Sequence, residues 1–99
     1  MDGQHIKVIT RIVAQEDNAE EVEAVLRDLV EPTRAEPGCI HYELLRNITD
    51  ATDLTYIQEW ESKEAFERHL DTDHTKGVAR RLTQLVKMMP DIRRYTTIA

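Results

Sequence analysis

Residues 58–74 read QEWESKEAFERHLDTDH and hold the chain's only tryptophan, Trp60, with two of its four histidines, His69 and His74. A neutral imidazole can take up a proton near pH 7, and an indole offers a flat apolar face with one N–H at its edge. Leu54, Tyr56, Gln58 and Trp60 alternate so as to share one face of a strand, opposite Thr55, Ile57 and Glu59. Phe66 and His69, three apart on the helical stretch that follows, point to one side. Tyr56, Trp60, Phe66 and His69 can therefore wall a single pocket that stacks a planar ligand and hydrogen-bonds its polar edge. The competing reading of the same residues is packing between sheet and helices. His74 follows Thr72 and Asp73 at a helix start, where the N-terminal dipole favours the neutral ring, the form that acts as a base. His41 and Glu43 lie on the strand face opposite Tyr42 and are assigned to a dimer side or to solvent. His5 reads as an exposed terminal residue.

Other chemistries find little to work with. His69 and His74 are five apart, which on one ideal helix turns them about 140° from each other, so no metal site is expected. Gly3, Gly38 and Gly77 are the only glycines, and they form no phosphate loop or dinucleotide fingerprint. Ser62 is the sole serine, reads as a helix cap, and has no nucleophile elbow around it. Cys39 is the sole cysteine, so it has no partner within the chain, and its strand-like apolar setting suits a small hydrophobe. A net charge of −6 repels phosphate backbones and argues against nucleic acid as a partner. The start of the chain, residues 1–5, has no secretory pattern, and no apolar run reaches the length of a membrane span; a cytoplasmic protein is expected.

These residues must be positioned by a small scaffold, since 99 residues suit one domain spanning 1–99. Ile6, Val8, Thr10, Ile12 and Ala14 alternate as a half-buried strand. Asn18 and Glu21 fit a capping box, followed by a helix with Val22, Val25, Leu26, Leu29 and Val30 on one stripe, which Pro32 kinks or ends. Glu36-Pro37-Gly38 breaks the chain, and residues 39–47 form a second strand with Ile40, Tyr42 and Leu44 on one face. A turn at 50–53 leads to a third strand at 54–61. Ser62 begins a helix, and a second helix with Val78, Leu82, Leu85, Val86 and Met89 runs to Pro90. A last strand at 92–98 completes β-α-β-β-α-β, an α+β ferredoxin-like order whose antiparallel sheet carries helices on one face. The other face would expose Ile9, Val13, Cys39, Leu45 and Ile57. A second copy packed sheet to sheet covers them, so a homodimer is expected.

Glu36-Pro37-Gly38-Cys39-Ile40-His41-Tyr42-Glu43-Leu44, Glu59-Trp60-Glu61-Ser62, His69 and Asp73-His74 together resemble the antibiotic biosynthesis monooxygenase (ABM) domain family, and in particular its small single-domain, quinol monooxygenase-like members. The resemblance spans nearly the whole chain and implies a dimeric α+β barrel. It implies Trp60, His69 and His74 as catalytic residues, with Tyr42, Tyr56, Phe66 and Arg80 as substrate-binding candidates. The implied reaction oxidises a small reduced aromatic, a quinol or anthrone, with dioxygen and without flavin, metal or other cofactor. Three other readings stay open. An isomerase or a signal-modifying enzyme of the autoinducer-2-processing type would use the same histidines for proton transfer alone. A non-catalytic dimeric module would only bind a small molecule. Haem degradation fits less well, because Thr10 and Ala79 stand where haem-degrading relatives carry an asparagine and an axial histidine.

Overall fold

Strict alternation builds the first strand, β1 (Ile6–Val13), in which Val8, Thr10 and Ile12 are buried while Lys7, Ile9 and Arg11 are exposed. The computed structural model describes residues 5–99, so the expectations for residues 1–4, Gly3 included, lie outside the described residues. A 3₁₀ turn at Glu16–Asn18 leads into α1 (Ala19–Arg27), which buries Val22, Val25 and Leu26. The expected capping box does not form. Asn18 sits at φ −114°, ψ 11°, outside the extended conformation of a capping residue, and its side chain caps nothing. The helix stops five residues ahead of Pro32 and resumes as a short α2 (Val30–Arg34) that contains it. A proline ring collides with the carbonyl four residues back and supplies no N–H, so the break falls at Asp28.

Strands β2 (Cys39–Asn47) and β3 (Asp50–Trp60) form a hairpin in which Asn47 pairs with Asp50. The turn is therefore at 48–49, and the segment expected to turn at 50–53 is the start of β3. Asp50 and Ala51 are exposed, and a solvated strand end has the same polar composition as a turn. A register shift between Cys39 and His41 adds a residue to β2. This bulge puts Cys39 opposite Trp60 and packs it against the core, while Ile40 is 45% exposed, reversing the expected faces of both residues. Beyond the bulge Tyr42 faces inward as expected.

Helix α3 (Lys63–Leu70) starts where Ser62 Oγ accepts the Ala65 N–H at 3.1 Å. Helix α4 (Asp73–Leu82) starts where Thr72 Oγ1 accepts the Thr75 N–H at 3.3 Å. It ends eight residues before Pro90, because residues 85–87 place their backbone groups against the end of β1. Leu85 O accepts the Gln15 N–H, and the Lys87 N–H donates to Val13 O at 2.8 Å. Val13, expected on the outer face, is buried beside this segment. The last strand, β4, is Asp91–Tyr95, shorter than expected.

The sheet order is β2-β3-β1-β4 with every neighbouring pair antiparallel. On one face Val8, Ile12, Tyr42, Tyr56 and Trp60 pack with Val25, Leu26, Phe66 and Val78 of the helices in one core. The opposite face leaves Ile9 and Leu45 exposed, with Tyr95 beside Lys7. No helix among the described residues is long and apolar enough to cross a membrane.

Gly38 ties this scaffold to the residues of interest. It has φ +88°, a left-handed conformation that costs a side chain dearly, and a Cβ built there would lie 2.6 Å from Ala65 Cβ on α3. Gly38→Ala is expected to lower stability by about 1–3 kcal/mol in urea denaturation. An unchanged denaturation midpoint would contradict this packing.

Candidate active site

Glu36 sits two residues before that turn, and its carboxylate reaches both histidines of the opening stretch. His69, near the end of α3, donates its Nδ1–H to Glu36 Oε2 at 2.9 Å, and His74, in the first turn of α4, donates its Nε2–H to the same oxygen at 2.5 Å. A carboxylate only accepts, so the nitrogen of each ring that contacts it carries a proton. Thr75 Oγ1 lies 3.3 Å from His69 Nδ1 and reinforces the same tautomer. The Glu36 and His69 side chains are nearly out of water, whereas His74 is part-exposed.

His69 Nε2 has no hydrogen-bond partner among the described residues. The one fully buried side-chain polar atom there without a partner is Thr33 Oγ1, so His69 Nε2 is not closed off. The His69 ring lines a cavity of about 610 Å³ whose walls include Tyr42, Tyr56, Gln58, Phe66 and Ile92. An imidazole with Nδ1–H bonded to a carboxylate and a free lone pair on Nε2 is a ready proton acceptor. Burial pushes the His69 imidazolium below its ordinary pKa of 6.5, against the opposing pull of Glu36, so the ring is neutral at pH 7.

The walls are mostly apolar, with Lys87 as the lysine among them. Burial holds the phenols of Tyr42 and Tyr56 well above their usual pKa of 10, so both remain protonated. Tyr56 Oη donates to Leu26 O at 2.6 Å, and its ring lies 4.7 Å from that of Tyr42. Gln58 bridges the strands: its Nε2–H donates to Thr10 Oγ1 at 3.1 Å and its Oε1 accepts the Trp60 indole N–H at 2.9 Å. A larger depression of about 750 Å³ lies across α2 and β2, but Glu23, Arg27 and Arg46 along it are already ion-paired with one another. It brings together no free acid or base.

The expected residues thus divide. Tyr42, Tyr56, Phe66 and His69 meet at the cavity, and His74 joins through Glu36. Trp60 does not line the cavity; fully buried, it supports the His69 ring from behind at a centroid distance of 4.9 Å. Arg80 is exposed on α4 and lines no wall. Cys39 is half-buried, and desolvation, followed by the nearby Glu36 charge, raises its thiol pKa, which disfavours a nucleophile. His41 bonds Glu43 in solvent at 3.1 Å, and exposed His5 bonds Glu59 at 3.2 Å. Glu36 and Gln58 were missed as site residues. Glu36 lies 33 and 38 residues from its histidines, and its only local signal was the Pro-Gly turn after it.

Comparison with known proteins agrees with this architecture. The family model described as antibiotic biosynthesis monooxygenase matches residues 5–81. An uncharacterised protein of Synechocystis is 27% identical over 90 residues, covering 91% of this chain, which in turn spans only 61% of that longer protein. The crystal structure of PA3566 from Pseudomonas aeruginosa superposes with a TM-score of 0.93 at 31% identity, covering 100% of this chain and 99% of its own. A solved antibiotic biosynthesis monooxygenase, 24% identical, shares the fold with a TM-score of 0.89 over 95% of this chain and 99% of its own. With the family model matched across β1 to α4 and the full-length fold shared, the chain belongs to the antibiotic biosynthesis monooxygenase family.

Proposed function

We propose that this protein is a cofactor-independent monooxygenase that oxidises a small reduced aromatic, a quinol or an anthrone, with dioxygen. The observation that carries the reading is the free Nε2 of a neutral, carboxylate-oriented His69 at the wall of an apolar, aromatic-lined cavity. A quinol O–H or an anthrone C–H placed there loses its proton to Nε2, leaving an electron-rich anion against the Tyr42, Tyr56 and Phe66 rings. For an anthrone the balance is a methylene plus dioxygen giving a carbonyl plus water. One oxygen atom enters the product, the other leaves as water, and the substrate carbon supplies all four electrons. Glu36 holds the imidazole and stabilises its charge once protonated, as a carboxylate does for a catalytic histidine. His74 shares that carboxylate, and Trp60 fixes the ring plane from behind. Arg80 has no part in this scheme.

The assembly in this reading is a homodimer closed through the outer sheet face, a reading supported by exposed Ile9, Leu45 and Tyr95. Sedimentation equilibrium at micromolar concentration should give twice the 11.5 kDa chain mass, and Ile9→Glu should lower it towards one. A wild-type monomer would reject the dimer.

The activity is tested with chelator-treated protein in an oxygen electrode, using quinols, naphthols and anthrones as substrates. Turnover above the uncatalysed oxidation is expected, and His69→Gln should lower it by about 10²-fold or more. Substrate proton exchange without oxygen uptake would instead assign an isomerase, and binding without either would assign a non-catalytic module. The depressed imidazolium pKa of His69 also sets the pH profile: the rate should stay level through neutrality and fall only in acid, below 6.5. A fall beginning above pH 7 would contradict a buried neutral base.

A further inference from the structure

We propose that Glu36, His69 and His74 form a binding site for one divalent first-row transition-metal ion of the zinc class. The five-residue spacing argued against a metal because it was measured on one ideal helix. The histidines are on two: His69 belongs to α3 and His74 to α4, and the break between them turns both rings towards Glu36. Glu36 Oε2, His69 Nδ1 and His74 Nε2 all lie within 4.8 Å of one another. Shifts on the order of an ångström would bring each to the roughly 2 Å of a metal bond. Two imidazole nitrogens and a carboxylate oxygen suit zinc, cobalt or iron better than calcium or magnesium, which prefer all-oxygen shells. Thr75 Oγ1 or a water can complete four-coordination.

Charge supplies an independent reason. The Glu36 side chain is only 10% exposed, and among the described residues its ion-pair partners are these two histidines, with no lysine or arginine. A cation bound between these three groups would place a fixed positive charge beside this poorly solvated carboxylate. The other imidazole–carboxylate pairs, His41 with Glu43 and His5 with Glu59, bring one histidine each and are well exposed. They lack the third ligand.

The ion would sit on the Nδ1 side of His69, the edge that Glu36 and Thr75 approach. A neutral imidazole that binds metal through Nδ1 carries its proton on Nε2. On the proposed oxygenase reading, the ion would therefore remove the base and inhibit turnover.

Binding is tested apart from activity. Chelator-treated protein is titrated with Zn²⁺ in a calorimeter and with Co²⁺ by visible absorption. One ion per chain is expected, with cobalt d–d bands, a raised thermal midpoint under zinc, and at least tenfold weaker binding in His74→Gln and Glu36→Gln. His41→Ala should bind as wild type does. Circular dichroism confirms that each variant is folded; should Glu36→Gln not fold, the His74→Gln and His41→Ala pair decides. No saturable binding below millimolar zinc, or equal affinity in wild type and His74→Gln, would overturn the site. If oxygen uptake is found and one equivalent of bound zinc leaves it unchanged, the inhibitory role is wrong although the site stands. If no substrate turns over, the titrations decide the site alone.

Discussion

The carboxylate of Glu36 accepts a hydrogen bond from each of two histidines, and the usefulness of the cavity follows from that one contact. An isolated imidazole exchanges its proton between two nitrogens of similar basicity, so its direction is undefined. Tying Nδ1–H of His69 to a carboxylate fixes the lone pair on the other nitrogen of a ring that lines the cavity. Burial then keeps the ring neutral. The two effects oppose each other in pKa, since Glu36 raises the value and desolvation lowers it, and desolvation is the larger. The product is a neutral base with a defined direction.

The scaffold serves this contact from several sides. The left-handed Gly38 lets the loop after Glu36 approach α3 at Ala65, closer than any side chain would allow. Ser62 and Thr72 cap the two helices that carry the histidines, and the break between those helices sets one ring against the other at 6.4 Å. Trp60 and Phe66 lie 4.9 and 5.9 Å from the His69 ring. Gln58 engages both ends of its amide within the sheet, one N–H on Thr10 and the oxygen on Trp60, and so holds those strands together beside the cavity.

Where a residue's neighbours in sequence are also its neighbours in space, the sequence was legible. The alternation of β1, the inward face of Leu54, Tyr56, Gln58 and Trp60, and the capping role of Ser62 are local patterns, and each appears in the structure. The element order follows from them. Features set by tertiary contact were not legible. The bulge that turns Ile40 outward changes which side chains pack on Trp60, and the end of α4 is decided by backbone pairing of residues 85–87 with the end of β1 and the residues after it, some seventy positions earlier. The site shows the same division: the aromatic and imidazole residues stood out by type, whereas Glu36 required the loop and both helices to be folded. Measuring the angle between His69 and His74 on one ideal helix hid their convergence, because the break capped by Thr72 resets the direction of the second ring.

The assignment of the proton on His69 is the centre of this account, and the imidazole nitrogens can be read directly. Long-range proton–nitrogen correlation of metal-free, ¹⁵N-labelled protein at pH 7 should show His69 with a protonated Nδ1 and an unprotonated Nε2, and Glu36→Gln should erase that preference. A wild-type His69 that carries its proton on Nε2, or is an imidazolium at that pH, would contradict the account.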